Sequence, residues 1–434
     1  MIKWLKILLT GVIVSFFYFP VVIAVFPLAI SKNILAAFGL LIVMVVLFRK
    51  KEFVLPGDFM MLLVFAAVVS ITALFSINFN QTPDDTYVTY IRSVIIWVCA
   101  AFFVCYCIWR MHGRLDVPLI VYYLAAVCVF QCFIALAIRF VPAVQTFVDA
   151  NFLQGQGFMH DTGRLYGIGA SLDVGGSRFA AVLVALAFLI EQDEDKRGNT
   201  PRFWLVLAFC IITVIGNIIA RTTIVGTIIG LFYIFLMETK TLLSASKGDN
   251  VKGKSSLSTW IIVLTFTIPV VILFYTISDP FQQLLRFGFE GFFSLVEKGE
   301  WDVSSNTALE SMVVFPDEFR TWVIGDGYFE NQINDVNYIG EANRGYYKGT
   351  DIGYLRFIFY FGVIGLLAIS ATIIYTGVLA AKFFKEYAPI MMMGVLANFV
   401  VWLIVATDLF PFLGFFAAAA FFISDMEFIK PHDE

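Results

Sequence analysis

The chain has 434 residues, 60% of them hydrophobic and only 14% charged, with 48 phenylalanines and a net charge of −4. Soluble chains are roughly 45–50% apolar and about 25% charged, and no soluble core needs this much apolar surface. The composition therefore excludes an ordinary soluble enzyme and predicts an all-α polytopic membrane protein, because a helix satisfies its own backbone in hydrocarbon.

The N-terminal MIKWLKILLTGVIVSFFYF has the charged start and apolar run of a signal sequence, but no small-x-small cleavage site follows, so it reads as a retained first helix. Apolar runs long enough to cross about 30 Å of hydrocarbon lie at 5–26, 33–48, 58–77, 92–109, 117–141, 177–191, 203–220, 222–238, 258–278, 352–380, 388–407 and 409–426. Twelve transmembrane helices are expected. They group as residues 1–278 (helices 1–9, with a middle periplasmic loop at 142–177), a large periplasmic loop at 279–351, and residues 352–434 (helices 10–12 and a short tail). The six cysteines fall inside apolar runs with no histidine beside them, and read as small buried hydrophobes.

Short loops set the orientation. With the N-terminus cytoplasmic, the inside segments are those around Lys3/Lys6, 49–51, 110–114, 193–202, 238–254, 381–387 and the tail, and both termini are cytoplasmic. The basic residues then separate by type: twelve Lys and five Arg inside, three Lys and nine Arg outside. Topology signals do not distinguish Lys from Arg, so they do not produce this split. The outside arginines are Arg92, Arg139, Arg164, Arg178, Arg221, Arg286, Arg320, Arg344 and Arg356, five of them at or just within helix ends. A planar guanidinium of fixed charge suits bidentate phosphate binding where an ammonium does not. The outer face reads as built for an anion, although each arginine taken alone is explained by snorkelling or by an acidic partner.

The 142–177 loop carries the glycine-rich GRLYGIGASLDVGGSRF, a flexible approach to a ligand or a linker. In the 279–351 loop, FQQLLRFGFEGFFSLVEKG predicts one or two amphipathic interfacial helices, and TALESMVVFPDEFRTWVIGDGYF a helix, a proline turn and a glycine turn. The stretch from Arg320 to Gly365 is polar and tyrosine-rich, then runs into an apolar helix with Asp351 and Arg356 at its mouth. There is no P-loop, HExxH or plausible GxSxG. Three histidines are too few for a histidine-built metal site, and His160, beside Asp161, reads as a solvated loop residue ahead of a base. Asp84-Asp85 is a carboxylate pair suited to a cation or a base, but in TPDDTYVTYIR it reads first as a helix N-cap.

The segment TDIGYLRFIFYFGVIGLL (350–367) resembles the signature of the O-antigen polymerase (Wzy) and O-antigen ligase superfamily: His-Asn-x-Tyr-Leu, an apolar run, then Gly-x-x-Gly. Tyr354-Leu355 and Gly362–Gly365 match in spacing, whereas Asp351 stands where the ligases have histidine, which favours a polymerase. IIARTTIVGTIIGL, with Arg221, and GGSRFAAVLVALAFL, with Arg178, resemble two further stretches of the same superfamily. The resemblance implies a GT-C-like, metal-independent glycosyltransferase without cofactor in the bacterial inner membrane. It would polymerise undecaprenyl-diphosphate-linked oligosaccharide repeats into O-antigen, capsule or exopolysaccharide on the periplasmic face. Asp351, Arg356 and Tyr354 would be catalytic, with Arg178, Arg221, Arg164, Arg320 and Arg344 on the substrate. Membrane lipid, a chain-length regulator and a flippase are the expected partners, and nucleic acid is not. The competing readings are a ligase, a flippase or exporter of the same lipid, a small-anion transporter and an assembly scaffold. A flippase would line a central cavity with arginine, and a transporter would carry polar residues at mid-depth, where charges are nearly absent.

Overall fold

The computed structural model describes residues 2–27, 29–50, 56–246, 255–332, 338 and 345–425. The first half contains α1 (Ile2–Tyr18), β1 (Val22–Ile23), α2 (Ser31–Lys50), α3 (Gly57–Asn80), α4 (Tyr90–His112), α5 (Val117–Phe140), α6 (Pro142–Asn151), β2 (Phe152–Leu153), α7 (Gln156–Asp161), α8 (Leu172–Ile190) and α9 (Arg202–Ile219). There follow α10 (Thr223–Ser246), α11 (Leu257–Ile277), α12 (Asp279–Gly288), α13 (Glu290–Lys298), α14 (Ser304–Ser311), α15 (Phe319–Ile324), α16 (Gly353–Phe383), α17 (Ala388–Val401) and α18 (Phe410–Ser424). Each of the twelve apolar runs contains a helix, although the 5–26 run leaves the helix after Tyr18 and includes β1, and the 388–407 run leaves it after Val401. Among the described residues nine helices are long and apolar enough to cross a membrane. This is an all-α polytopic membrane protein. By length, α1, α17 and α18 fall short of the nine, with 17, 14 and 15 residues.

The loops are more structured than their composition suggests. The 142–177 segment contains α6 and α7, and α8 begins at Leu172 within it. The 281–299 stretch is two helices, α12 and α13, split at Phe289. The six cysteines are all free, and each is buried or half-buried.

The chain divides into two compact units: residues 1–35, 104–302 and 386–397 form one, and residues 36–103, 303–385 and 398–434 the other. The first is centred on α8, where every residue from Gly175 to Ile190 is buried against α5, α9 and α10. Small residues make this possible: a Cβ on Gly226 of α10 would lie 2.2 Å from the Ala180 carbonyl oxygen of α8. Side chains larger than hydrogen would force these two backbones apart.

The second unit is centred on α16, which packs on α3, α15 and α18. α16 is broken at Phe361 and Gly362, the latter at φ 69°. Only glycine adopts this geometry cheaply, and here a Cβ would also sit 2.1 Å from the Val323 carbonyl oxygen of α15. The break releases the carbonyls of Phe359 and Tyr360 from the helix ladder. They accept instead from the amides of Asp326 (2.6 Å) and Gly327 (3.1 Å), and Tyr360 also from the Ser76 hydroxyl (2.7 Å). Of the Gly-x-x-Gly pair, Gly362 makes the kink and Gly365 admits the Phe361 ring, 1.9 Å from its would-be Cβ. The kink therefore seats the loop before α16 against the helix.

Candidate functional site

In the second unit a guanidinium is clamped where the 319–352 segment meets α16. Arg356 lies in the first turn of α16 and is 6% exposed. Its plane is covered by the Phe329 ring, 3.7 Å from ring centroid to Cζ, and by the Tyr346 ring at 4.5 Å. Desolvated cation–aromatic contacts of this kind are worth about 2 kcal/mol. Its edge donates to Asp351 Oδ1 (3.1 Å) and to the Phe329 carbonyl (3.1 Å), with Glu330 3.8 Å away. Its Nε is buried without a hydrogen-bond partner among the described residues. The antiparallel bridge between Glu330 and Tyr346 brings Phe329 and Tyr346 together at Arg356.

The loop is held from α3–α4. Asp84, 5% exposed, accepts through Oδ2 from the amides of Phe329 (2.8 Å) and Glu330 (3.4 Å) and from Gln332 (3.3 Å). Its Oδ1 takes the Thr86 amide and hydroxyl at 3.2 and 2.6 Å. The expected N-cap role is thus corrected: α4 begins at Tyr90, and Asp84 closes a turn and anchors a distant segment. Tyr360 donates to the Asp84 carbonyl (2.8 Å) and accepts from the Tyr87 amide (3.3 Å). Burial, then the charge of Asp408, pushes the Tyr87 phenol well above its ordinary range, so Tyr87 stays a neutral hydroxyl.

Asp326 ties the other side together. It accepts from Thr321 (2.6 Å), Arg320 (3.3 Å) and the Tyr347 hydroxyl (3.1 Å), while Tyr328, Tyr347, Ile352, Leu355 and Phe359 form an apolar cluster beneath. Burial first, and the Asp326 carboxylate second, raise the Tyr347 pKa.

The residues expected from sequence are distributed as follows. Asp351 and Arg356 come together, but Asp351 precedes the helix and reaches back to its first turn, so their five-residue spacing is not a helix-face spacing. Tyr354 points elsewhere: its hydroxyl donates to the Phe399 carbonyl (3.0 Å) and its ring meets Trp402 edge-on. Arg320 bonds to Asn80 (2.7 Å), Asp326 and Glu318. Arg344 lies outside the described residues.

Arg178, Arg221 and Arg164 belong to the first unit. Arg221, in the turn between α9 and α10, donates to Glu290 Oε2 (2.7 Å) and the Phe287 carbonyl (3.0 Å) and lies 4.4 Å over the Phe287 ring. Arg164 stands 6.0 Å over the same ring. Arg178 is 8% exposed, 5.8 Å over Phe19, and its carbonyl accepts from Tyr18. His160 is not simply solvated: it bonds Asp149 (2.9 Å), Tyr166 (3.2 Å) and Gln145 (3.1 Å).

Sequence reasoning missed Phe329, Tyr346, Asp326 and Asp408. Phe329 carries no local signal, since its partners Arg356 and Asp84 stand 27 and 245 positions away. Among the described residues no group of three or more His, Cys, Asp or Glu is placed to hold a metal ion. Comparison with protein-family models, curated proteins and solved structures finds no match to this chain.

Proposed function

We propose that the protein polymerises undecaprenyl-diphosphate-linked oligosaccharide repeats on the periplasmic face of a bacterial inner membrane. In this reading all twelve apolar helices span, both termini are cytoplasmic, and the architecture is GT-C-like. The observation that carries it is the fixed guanidinium of Arg356, held between two rings beside the Asp351 carboxylate at the foot of a polar, tyrosine-rich loop. The nine-to-three excess of outside arginine over lysine supports an anionic substrate.

Growth of the chain requires a hydroxyl oxygen of the incoming repeat to attack the anomeric carbon of the chain held on its lipid diphosphate. The C–O bond to the diphosphate breaks and the leaving group carries away the electron pair. Asp351 accepts the hydroxyl proton, and a preset guanidinium stabilises charge on the departing diphosphate without reorganising. Arg356 is suited to this because its orientation is fixed before substrate arrives. Tyr328, Tyr338 and Tyr347 pack on one another and stiffen the loop beside the clamp.

The test is deletion of the gene and complementation. Polymerisation requires that deletion abolish the long polysaccharide ladder while a single repeat is still transferred to its acceptor, and that wild type restore the ladder. Loss of every capped species, single repeat included, would mean a ligase or a flippase and end this reading.

A further inference from the structure

The first unit contains a small polar cavity, of about 50 Å³, that the transfer site above does not use. It is lined by Arg139, Arg164, His160, Gln145 and Tyr166, with Ala135, Ile138 and Met159 among its apolar walls. Four other arginines of the same composition class are neutralised by acids: Arg221 by Glu290, Arg286 by Glu297, Arg320 by Asp326 and Arg356 by Asp351. Arg139 and Arg164 have no ion-pair partner among the described residues, and both face one cavity.

The cavity wall is built. Both oxygens of Asp149 are occupied, one by Tyr166 (2.9 Å) and one by His160 (2.9 Å). Gln145 closes the other imidazole nitrogen at 3.1 Å. With its two nitrogens engaged, His160 shapes the wall, and the free donors are the two guanidinium groups. Two uncompensated guanidinium groups around a space of a few water molecules match one phosphate, and not a sugar chain.

Arg139 stands in the last turn of α5, and the flanking elements expose Phe140 (43%), Phe147 (61%) and Phe158 (55%). Short helices with outward aromatics beside a spanning helix sit at the headgroup level of a bilayer.

We propose that Arg139 and Arg164 form a phosphate site for a single phosphoryl group, supplied by a membrane-lipid headgroup or by free phosphate. The site shares Arg164 with the residues expected on the transfer substrate, but its test stands apart from that reading, because binding is measured with no sugar present. The full chain is reconstituted in phosphatidylcholine nanodiscs, with phosphatidic acid added in one arm and inorganic phosphate in the other, and bound phosphate is followed by phosphorus magnetic resonance. Arg139→Gln and Arg164→Gln should each weaken binding about tenfold, as loss of one charge-assisted contact does. Arg286→Gln, which breaks the pair with Glu297, should leave it unchanged. Variant-sensitive binding of phosphatidic acid alone assigns a headgroup, and of inorganic phosphate as well assigns the phosphoryl group itself. Binding of neither probe, or binding indifferent to both cavity variants while their unfolding temperatures match wild type, overturns the proposal.

Discussion

The Asp84 carboxylate accepts the amide hydrogen of Phe329 at 2.8 Å, joining positions 245 residues apart. Phe329 in turn offers its ring and its carbonyl to Arg356. A buried acid thus fixes a buried cation without touching it, through the loop between them.

Removing that anchor should loosen the clamp. Asp84→Ala leaves the buried Phe329 amide without its acceptor, and a buried unsatisfied donor costs about 1–3 kcal/mol. Thermal unfolding should show a loss in that range, with faster hydrogen exchange at Phe329 and Glu330. Exchange unchanged at both amides would rule out the anchoring role.

The clamp makes a sharp demand on side-chain shape. Arg356→Lys keeps the charge but loses the planar stack and the fork, at a cost of about 1–2 kcal/mol in stability. Chain growth should fall much further than stability does. A lysine variant that makes normal-length polymer would remove the diphosphate role.

The helix break can be tested by adding one methyl group. Gly362→Ala combines a φ of 69° and ψ of −175°, a region open essentially to glycine alone, with a 2.1 Å approach to the Val323 carbonyl, and the backbone strain by itself costs about 1–3 kcal/mol. It should destabilise by more than that. Gly157→Ala, in a short helix with open space around its would-be Cβ, should be neutral or slightly stabilising. Equal unfolding temperatures for the two variants would contradict the account of the kink.

Arg221 separates a substrate role from a structural one. It pairs with Glu290, both groups being partly exposed, and such pairs are worth about 1 kcal/mol or less. Glu290→Gln should therefore leave polymer length intact, while Arg221→Lys should shorten it. If both variants lose polymer together, Arg221 acts only as a tie between its turn and α13.

High pH should act on Tyr347. Its folded pKa is raised from 10.0 by burial and by Asp326, so the folded state holds its proton while the unfolded state gives it up. Stability from this group is complete below about pH 10 and declines as pH rises above it. Tyr347→Phe should lessen the loss of unfolding temperature between neutral and strongly alkaline pH.

The helices were legible in the sequence because apolar length reports directly on spanning, and α3, α4, α5 and α16 fall where their runs predict. The ends were less legible. α8 starts at Leu172 in a polar, glycine-rich stretch, and from Gly175 onward it is held by packing, a tertiary effect. The Asp351–Arg356 pair was visible as two charges at a helix mouth, but not its geometry, which uses the coil before the helix. Phe329 and Tyr346 were not legible as site residues, and Asp84 was visible only as half of a carboxylate pair that reads first as a helix N-cap. Their roles depend on a loop folding back on a kinked helix, and nothing near each of them in the chain encodes that contact.

The most direct measurement is glycosyl transfer by the purified chain in liposomes, supplied with a lipid-diphosphate-linked repeat and no other protein. Wild type should extend the repeat into a ladder and release lipid diphosphate, while Asp351→Ala should bind the lipid yet form no dimer of repeats. A ladder made equally well by Asp351→Ala, or none made by well-folded wild type, would contradict the account.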